Sequence, residues 1–392
     1  MLGLGALTIL GCSGPSPAAV SSSPAAIATP SPPAGGWAVM VGGAVASGPY
    51  IVQLVTFNGR GGPFAQATAR SSKQYWFPPS PCPSGARCPE GETAAYTMPK
   101  TSISSTRVYL LDGESTVKSL SPDGSVETVM NISAPDNSQV VFAVSPDDRR
   151  IAVSVITLAR SRVLASFNNV MYIEDLRTGA HRVDLYTSTA TAEWPIGWHA
   201  GHLIVGVGGS DLFGIQNPYG AIAYHIADPA TGLTLESLDC AQGLLVAAGT
   251  ACASGWCSTG STCDSGTLGK QAWDGTKTPF ALPGGPPPKI FMAFANPAEL
   301  SPDGASIAAD AIADQQNFAV ETLLFKSGAW SVLTRLGTPL GWLDSSRLVV
   351  SSSFGVWVID VRSGIPNQMT NLQLVPQTGM PVLAGVMPTD LG

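Results

Sequence analysis

Ser145-Pro146-Asp147-Asp148-Arg149-Arg150-Ile151-Ala152-Val153-Ser154 returns, 156 residues later, as Ser301-Pro302-Asp303-Gly304-Ala305-Ser306-Ile307-Ala308-Ala309-Asp310. In each copy a proline, whose ring fixes φ near −65°, takes the second position of a turn flanked by Ser and Asp. Gly304 takes the last turn position of one copy and Asp148 that of the other. Strict alternation follows: Ile151, Val153 and Val155 on one side, Ala152, Ser154 and Ile156 on the other, which is the period of a strand. Val140 to Val144 upstream supplies the partner strand, so each copy is a hairpin.

A second motif follows each hairpin. Trp194-Pro195-Ile196-Gly197-Trp198 with His202-Leu203-Ile204-Val205 matches Thr338-Pro339-Leu340-Gly341-Trp342 with Arg347-Leu348-Val349-Val350. The Trp198-to-Trp342 offset is 144, close to 156 but unequal, as in a tandem repeat carrying loop insertions. Repeating four-strand units separated by turn signals predict an all-β propeller. Seven units are counted. The first takes Trp37 to Ala69, the second Arg107 to Asn131, and the third Gln139 to Tyr186, with its fourth strand at His181–Tyr186. The fourth runs from Trp194 to Leu238, the fifth from Leu244 to Leu282, the sixth from Ile290 to Leu333 and the seventh from Pro339 to about Leu374. Lys73 to Lys100 reads as an irregular insertion, and Met380 to Val386 as a strand that returns to the first unit and closes the ring. Ser121-Pro122-Asp123-Gly124 repeats the turn chemistry one turn later in its unit.

Composition agrees. The chain has 392 residues, of which 43 are Gly, 32 Pro and only 12% charged, which suits turn-rich β structure rather than long helices. A net charge of −7 without a basic cluster argues against capture of nucleic acid, and no apolar run reaches the ~18 residues of a spanning helix.

The N-terminus resembles the end of a bacterial lipoprotein signal peptide: an apolar stretch from Met1, then Ile9-Leu10-Gly11-Cys12. The resemblance implies a lipid on Cys12, with residues 1–12 as signal and lipobox. The first Lys or Arg is Arg60, so a few residues are expected to precede Met1. Residues 13–36 carry no charge and are almost all Ser, Pro, Ala and Gly, the composition of a disordered linker reaching roughly 25–75 Å. The propeller then occupies 37–392. Without Cys12 six cysteines remain, an even number that suits an oxidising compartment. Cys82 with Cys88 and Cys257 with Cys263 each enclose five residues, and Cys240 and Cys252 are left to each other. Local pairing is favoured because turns already bring those ends together; five intervening residues fit zinc knuckles poorly.

The turn proline-aspartate, the Ile-Ala strand and an Asp-Leu-Arg-Thr-Gly turn (Asp175 to Gly179; compare Asp360-Val361-Arg362-Ser363-Gly364) together resemble the WD40-like repeat of TolB-type β-propellers. The resemblance implies a propeller outside the cytoplasm and carries no catalytic residues. TolB-type rings typically have six blades, so six is the alternative to the seven counted.

No linear motif names a chemistry. Asp123, Asp147 and Asp303 are explained as turn caps, and Trp198 and Trp342 as packing between blades. His181 and His225 fall in strands and His199 and His202 flank a turn. No metal-ligand spacing and no nucleophile elbow accompanies them, so no catalytic residue, metal or cofactor is assigned. Loop aromatics and polar groups are the candidates for partner binding: Asp211, Phe213, Asn217 and Tyr219 between Gly208 and Gly220, and Trp256 between Cys252 and Cys263. The expectation is a monomeric, lipid-anchored binding module for a protein, glycan or envelope component. The alternative is a secreted propeller hydrolase or lyase acting on a polysaccharide.

Overall fold

A computed structural model describes residues 36–43, 49–58, 64–71, 75–77, 92–94, 100–136, 138–158, 167–208, 221, 223–239, 241–254, 267–280, 298–314, 319–352, 354–370, 372, 381–389 and 391. The fold is a ring of seven four-stranded antiparallel blades. Blade I begins with β1 (Trp37–Gly43), β2 (Pro49–Thr56) and β3 (Ala65–Arg70). A small hairpin of β4 (Tyr75–Phe77) and β5 (Glu92–Ala94) follows inside the segment expected to be irregular. Blade II is β6 (Thr101–Ile103), β7 (Val108–Asp112), β8 (Thr116–Leu120) and β9 (Val126–Asn131). Its inner strand β6 is too short for the alternation to announce it. Blade III is β10 (Ser138–Val144), β11 (Arg150–Leu158), β12 (Phe167–Asp175) and β13 (Val183–Ser188). Blade IV is β14 (Ala192–His199), β15 (His202–Gly208), β16 (Ala223–Ala227) and β17 (Thr234–Leu238). Blade V is β18 (Ala241–Val246), β19 (Gly249–Ser254), β20 (Thr267–Gln271) and β21 (Lys277–Pro279). Blade VI is β22 (Glu299–Leu300), β23 (Ser306–Asp314), β24 (Ala319–Lys326) and β25 (Ala329–Thr334). Blade VII is β26 (Thr338–Asp344), β27 (Arg347–Ser352), β28 (Gly355–Asp360) and β29 (Pro366–Gln368). The last strand, β30 (Val382–Met387), pairs with β1 as the inner strand of blade I, with Trp37 opposite Met387. The ring therefore closes by pairing the two ends of the folded chain, as the tail sequence led one to expect.

One reading is corrected. His181 precedes β13 in a turn, at φ 53°, and lies 2.7 Å from Asp175 Oδ2; it is not a strand residue. The first described strand of blade VI is Glu299–Leu300, and 290–297 lie outside the described residues.

The core is a set of seams. Each blade has two apolar faces, and among the described residues seven apolar clusters lie one at each junction between neighbours. Ile151 and Val153 pack towards blade II on Tyr109, Leu111 and Val117. Ala152, on the other face of the same strand, meets Trp198 and Leu203 of blade IV. Blade VI repeats this: Ile307 faces Val246 and Ala251 of blade V, and Ala308 faces Trp342 and Leu348 of blade VII. A strand of period two buried on both sides is what the alternation demands. A polar tie reinforces the first seam, where Asp112 takes Arg70 Nε (3.0 Å) and Lys118 Nζ (2.8 Å). The Arg70 guanidinium, with the Lys118 ammonium, holds its carboxyl well below the usual range.

Candidate functional site: the loop face and the ring axis

Antiparallel topology gives the ring two unlike faces. The first-to-second and third-to-fourth strand connections of every blade emerge on one face, here the turn face; the others emerge on the loop face. Turn-face connections span two to eight residues. All five connections longer than eight residues, 71–100, 209–222, 255–266, 280–298 and 369–381, leave the loop face. The candidates Asp211, Phe213, Asn217, Tyr219 and Trp256 belong to two of these connections, and the residues themselves lie outside the described ones. So do Cys12, Cys82, Cys88, Cys240, Cys257 and Cys263. Cys252 is buried on β19 opposite Ala241.

The repeated aspartates are turn caps. Asp303 Oδ1 accepts from Ser301 Oγ (2.6 Å) and Ala305 N (3.0 Å), and Ser301 Oγ accepts from Ser306 N (2.9 Å). Asp147 Oδ1 accepts from Ser145 Oγ (2.6 Å) and Arg149 N (3.3 Å), and Ser145 Oγ from Arg150 N (2.9 Å). Asp123 caps Ser125 N at 2.9 Å in the β8–β9 turn, a different place in its blade. Each carboxylate accepts from donors of its own turn.

The axis is crossed by side chains. A bulge in β18 between Gln242 and Val246 throws Leu244 inward, with Gly243 at φ 73°. Leu244 reaches past blade VI: a Cβ at Gly341 of blade VII would stand 2.4 Å from Leu244 Cδ1 and 3.0 Å from Leu383 Cδ2 of β30. Only glycine fits there. The bulge leaves Leu244 N without a ladder partner, and Glu299 Oε2 accepts from it at 2.9 Å. Glu299 is 2% exposed, and burial pushes its carboxyl up to about 8, against the pull of that amide. From the other side, Leu391, beyond the end of β30, packs with Ile196 and Leu245 against the cluster around Trp194. Blades I and IV are not neighbours, so this contact also spans the axis.

A second polar site lies on blade IV where it packs against blade III. Glu193, near the loop-face end of β14, has Oε2 3.6 Å from His225 Nε2, with both side chains mostly buried. Glu193 N donates to Asn169 Oδ1 (2.8 Å), and its carbonyl accepts from Ser154 Oγ (2.7 Å), which itself accepts from Asn169 Nδ2 (2.7 Å). Burial raises Glu193 to about 7, partly offset by the Tyr186 hydroxyl, and burial lowers His225. The arrangement sets a carboxyl and an imidazole side by side where both are mostly buried. Sequence reading missed both glutamates. The available signal was a lone carboxylate within an otherwise apolar inner-strand pattern, at Ala192-Glu193-Trp194 and Ala298-Glu299-Leu300.

No family model matches this chain, and no curated protein sequence matches it. Solved structures do. TolB from Acinetobacter baumannii shares 11% identity over 89% of this chain and 67% of that one, with a TM-score of 0.33. A tricorn protease shares 11% over 72% of this chain, with a TM-score of 0.39, and the match spans only 27% of that protease. An oligogalacturonate lyase from Vibrio parahaemolyticus shares 9% over 83% and 91% of the two chains, with a TM-score of 0.47. Identities this low are likenesses of fold.

Proposed function

We propose that this chain is an extracytoplasmic propeller, held at a membrane by a lipid on Cys12, that binds a protein, glycan or envelope component through its loop face. The observation that carries the reading is the asymmetry of the ring. Every connection longer than eight residues leaves one face, whereas Trp37 enters from the other, beside Met387. A linker over 13–36 would then join the membrane to the turn face and leave the loop face free for a partner. Asp211, Phe213, Asn217, Tyr219 and Trp256 are the proposed contacts. The paired cysteines of that reading are Cys82–Cys88, Cys257–Cys263 and Cys240–Cys252. In support of the last, Ala241 lies opposite Cys252, and Cys252 has no free thiol.

Two experiments test the reading. In a form carrying a complete signal peptide, Cys12→Ser releases the protein from the membrane fraction; retention overturns the anchor. A photo-crosslinker in place of Phe354, an exposed loop-face residue, captures a partner that the same probe at Arg362 on the turn face does not; the reverse pattern overturns the loop-face assignment.

The hydrolase or lyase reading rests on Glu193 and His225 as neighbouring acid and base. Its test is turnover of uronate-containing and neutral polysaccharides by the native chain and by Glu193→Gln. No turnover by the native chain removes it.

A further inference from the structure

The ring closes inside blade I, at a ladder between strands from the two ends of the sequence. β30 reaches blade I from the far end of the sequence, and its ladder to β1 is five pairs interrupted by a bulge between Val39 and Met40. No turn links the two strands, so nothing covalent and local opposes their separation. The chain does not stop at the seam. After Met387 it turns at Pro388 and Thr389, and Leu391 N donates to Thr389 Oγ1 (3.3 Å). Leu391 arrives at blade IV, where its Cδ1 lies 3.8 Å from the position of a Cβ on Gly197. His199 Nδ1 donates to the Leu391 carbonyl at 3.2 Å, and the His199 ring stacks at 5.1 Å on Trp273 of blade V.

We propose that Pro388, Thr389 and Leu391 form a strap that spans the ring axis on the turn face and fastens the closing strand to the seam between blades IV and V. Peeling β30 from β1 then requires loss of the Leu391 contacts on the far side of the ring as well as loss of the ladder. Leu244 lies along the same line, touching blades VII and I from blade V, so the axis is tied from both directions. This role is independent of what the loop face binds and of how the chain is anchored.

Hydrogen exchange of the full chain, followed peptide by peptide, tests the strap. The variants are Leu391→Ser and deletion of 388–392, with Phe354→Ser as a surface control. The strap predicts that Trp37–Gly43 and Val382–Met387 exchange about tenfold faster in both variants, through local opening, while Arg150–Leu158 of blade III keeps its rate. The control changes neither. Unchanged exchange at the closing seam in Leu391→Ser overturns the proposal. So does an equal acceleration in every blade, which would make Leu391 an ordinary core residue. Should the deletion fail to fold, Leu391→Ser alone decides.

Discussion

The hairpins at 145–154 and 301–310 are the same device placed in different surroundings. Both close with the hydroxyl-carboxylate turn, and both bury an isoleucine towards the preceding blade and an alanine towards the following one. They even share a tie that sequence alone does not display. Trp198 Nε1 donates to the Ala143 carbonyl (3.1 Å), and Trp342 Nε1 donates to the Glu299 carbonyl (2.9 Å). Ala143 and Glu299 are equivalent positions, opposite Ala152 and Ala308. The copies differ where neighbours differ. Ala143 needs only to be small, whereas Glu299 must supply an acceptor to the bulge in blade V. At the turn, Asp148 and Gly304 both have positive φ, at 60° and 68°. Asp148 accepts from the Tyr109 hydroxyl (2.8 Å) and from Thr106 Oγ1 of blade II, an interaction that offsets its strained backbone. Gly304 has no such option, because a Cβ there would lie 2.9 Å from Ala248 Cβ and 3.0 Å from Lys270 Nζ. The lesson is that the repeat specifies the turn and the seam, and each seam then selects its own exceptions.

The equivalence is broken most easily at the isoleucines. Ile151→Ala and Ile307→Ala should each cost about 2–5 kcal/mol in denaturant titration, from lost transfer energy and an unfilled cavity. Costs that differ by several kcal/mol would mean that the two seams are not equivalent.

Glu299 sharpens the contrast with Ala143 through pH. Its folded pKa is raised above the unfolded value, so the stability it contributes is complete below about pH 4 and declines as pH rises towards 8. Between pH 5 and 8 the native chain should lose about 3 kcal/mol through this group. Glu299→Gln keeps an acceptor for Leu244 N and should flatten that slope, as urea midpoints at the two pH values would reveal. Parallel slopes in the two proteins would show that Glu299 ionises as freely folded as unfolded.

Smaller effects test the shared tie and the turn. Trp198→Phe and Trp342→Phe each remove one hydrogen bond to a carbonyl that the ladder also engages and should cost about 1 kcal/mol, by similar amounts if the copies correspond. Gly304→Ala should cost about 1–2 kcal/mol from its φ and the close Ala248 contact, while Asp148→Gly should be nearly neutral, relieved strain balancing the lost Tyr109 bond. Asp303→Ala removes local caps worth about 1 kcal/mol. If that variant folds normally yet loses a partner, the turn aspartates are functional after all.

What the amino-acid sequence determined by itself is the local and the periodic: Pro-Asp turns, strands alternating between two buried faces, a repeat that must form a ring, and a last strand left over to close it. Those features depend on neighbours a few residues away, or on one pattern used many times. The inner strand β6 escaped because three residues carry too little period. The choice of Glu299 as a partner for Leu244 and the passage of Leu391 to Gly197 and His199 depend on which blades face one another across a seam or the axis, and the meeting of Glu193 with His225 depends on how the strands of blade IV lie side by side. Such contacts join residues 55, 32 and more than 190 positions apart. No period encodes them, because each occurs once. Only the paired strands of a blade and the closed ring bring them within reach.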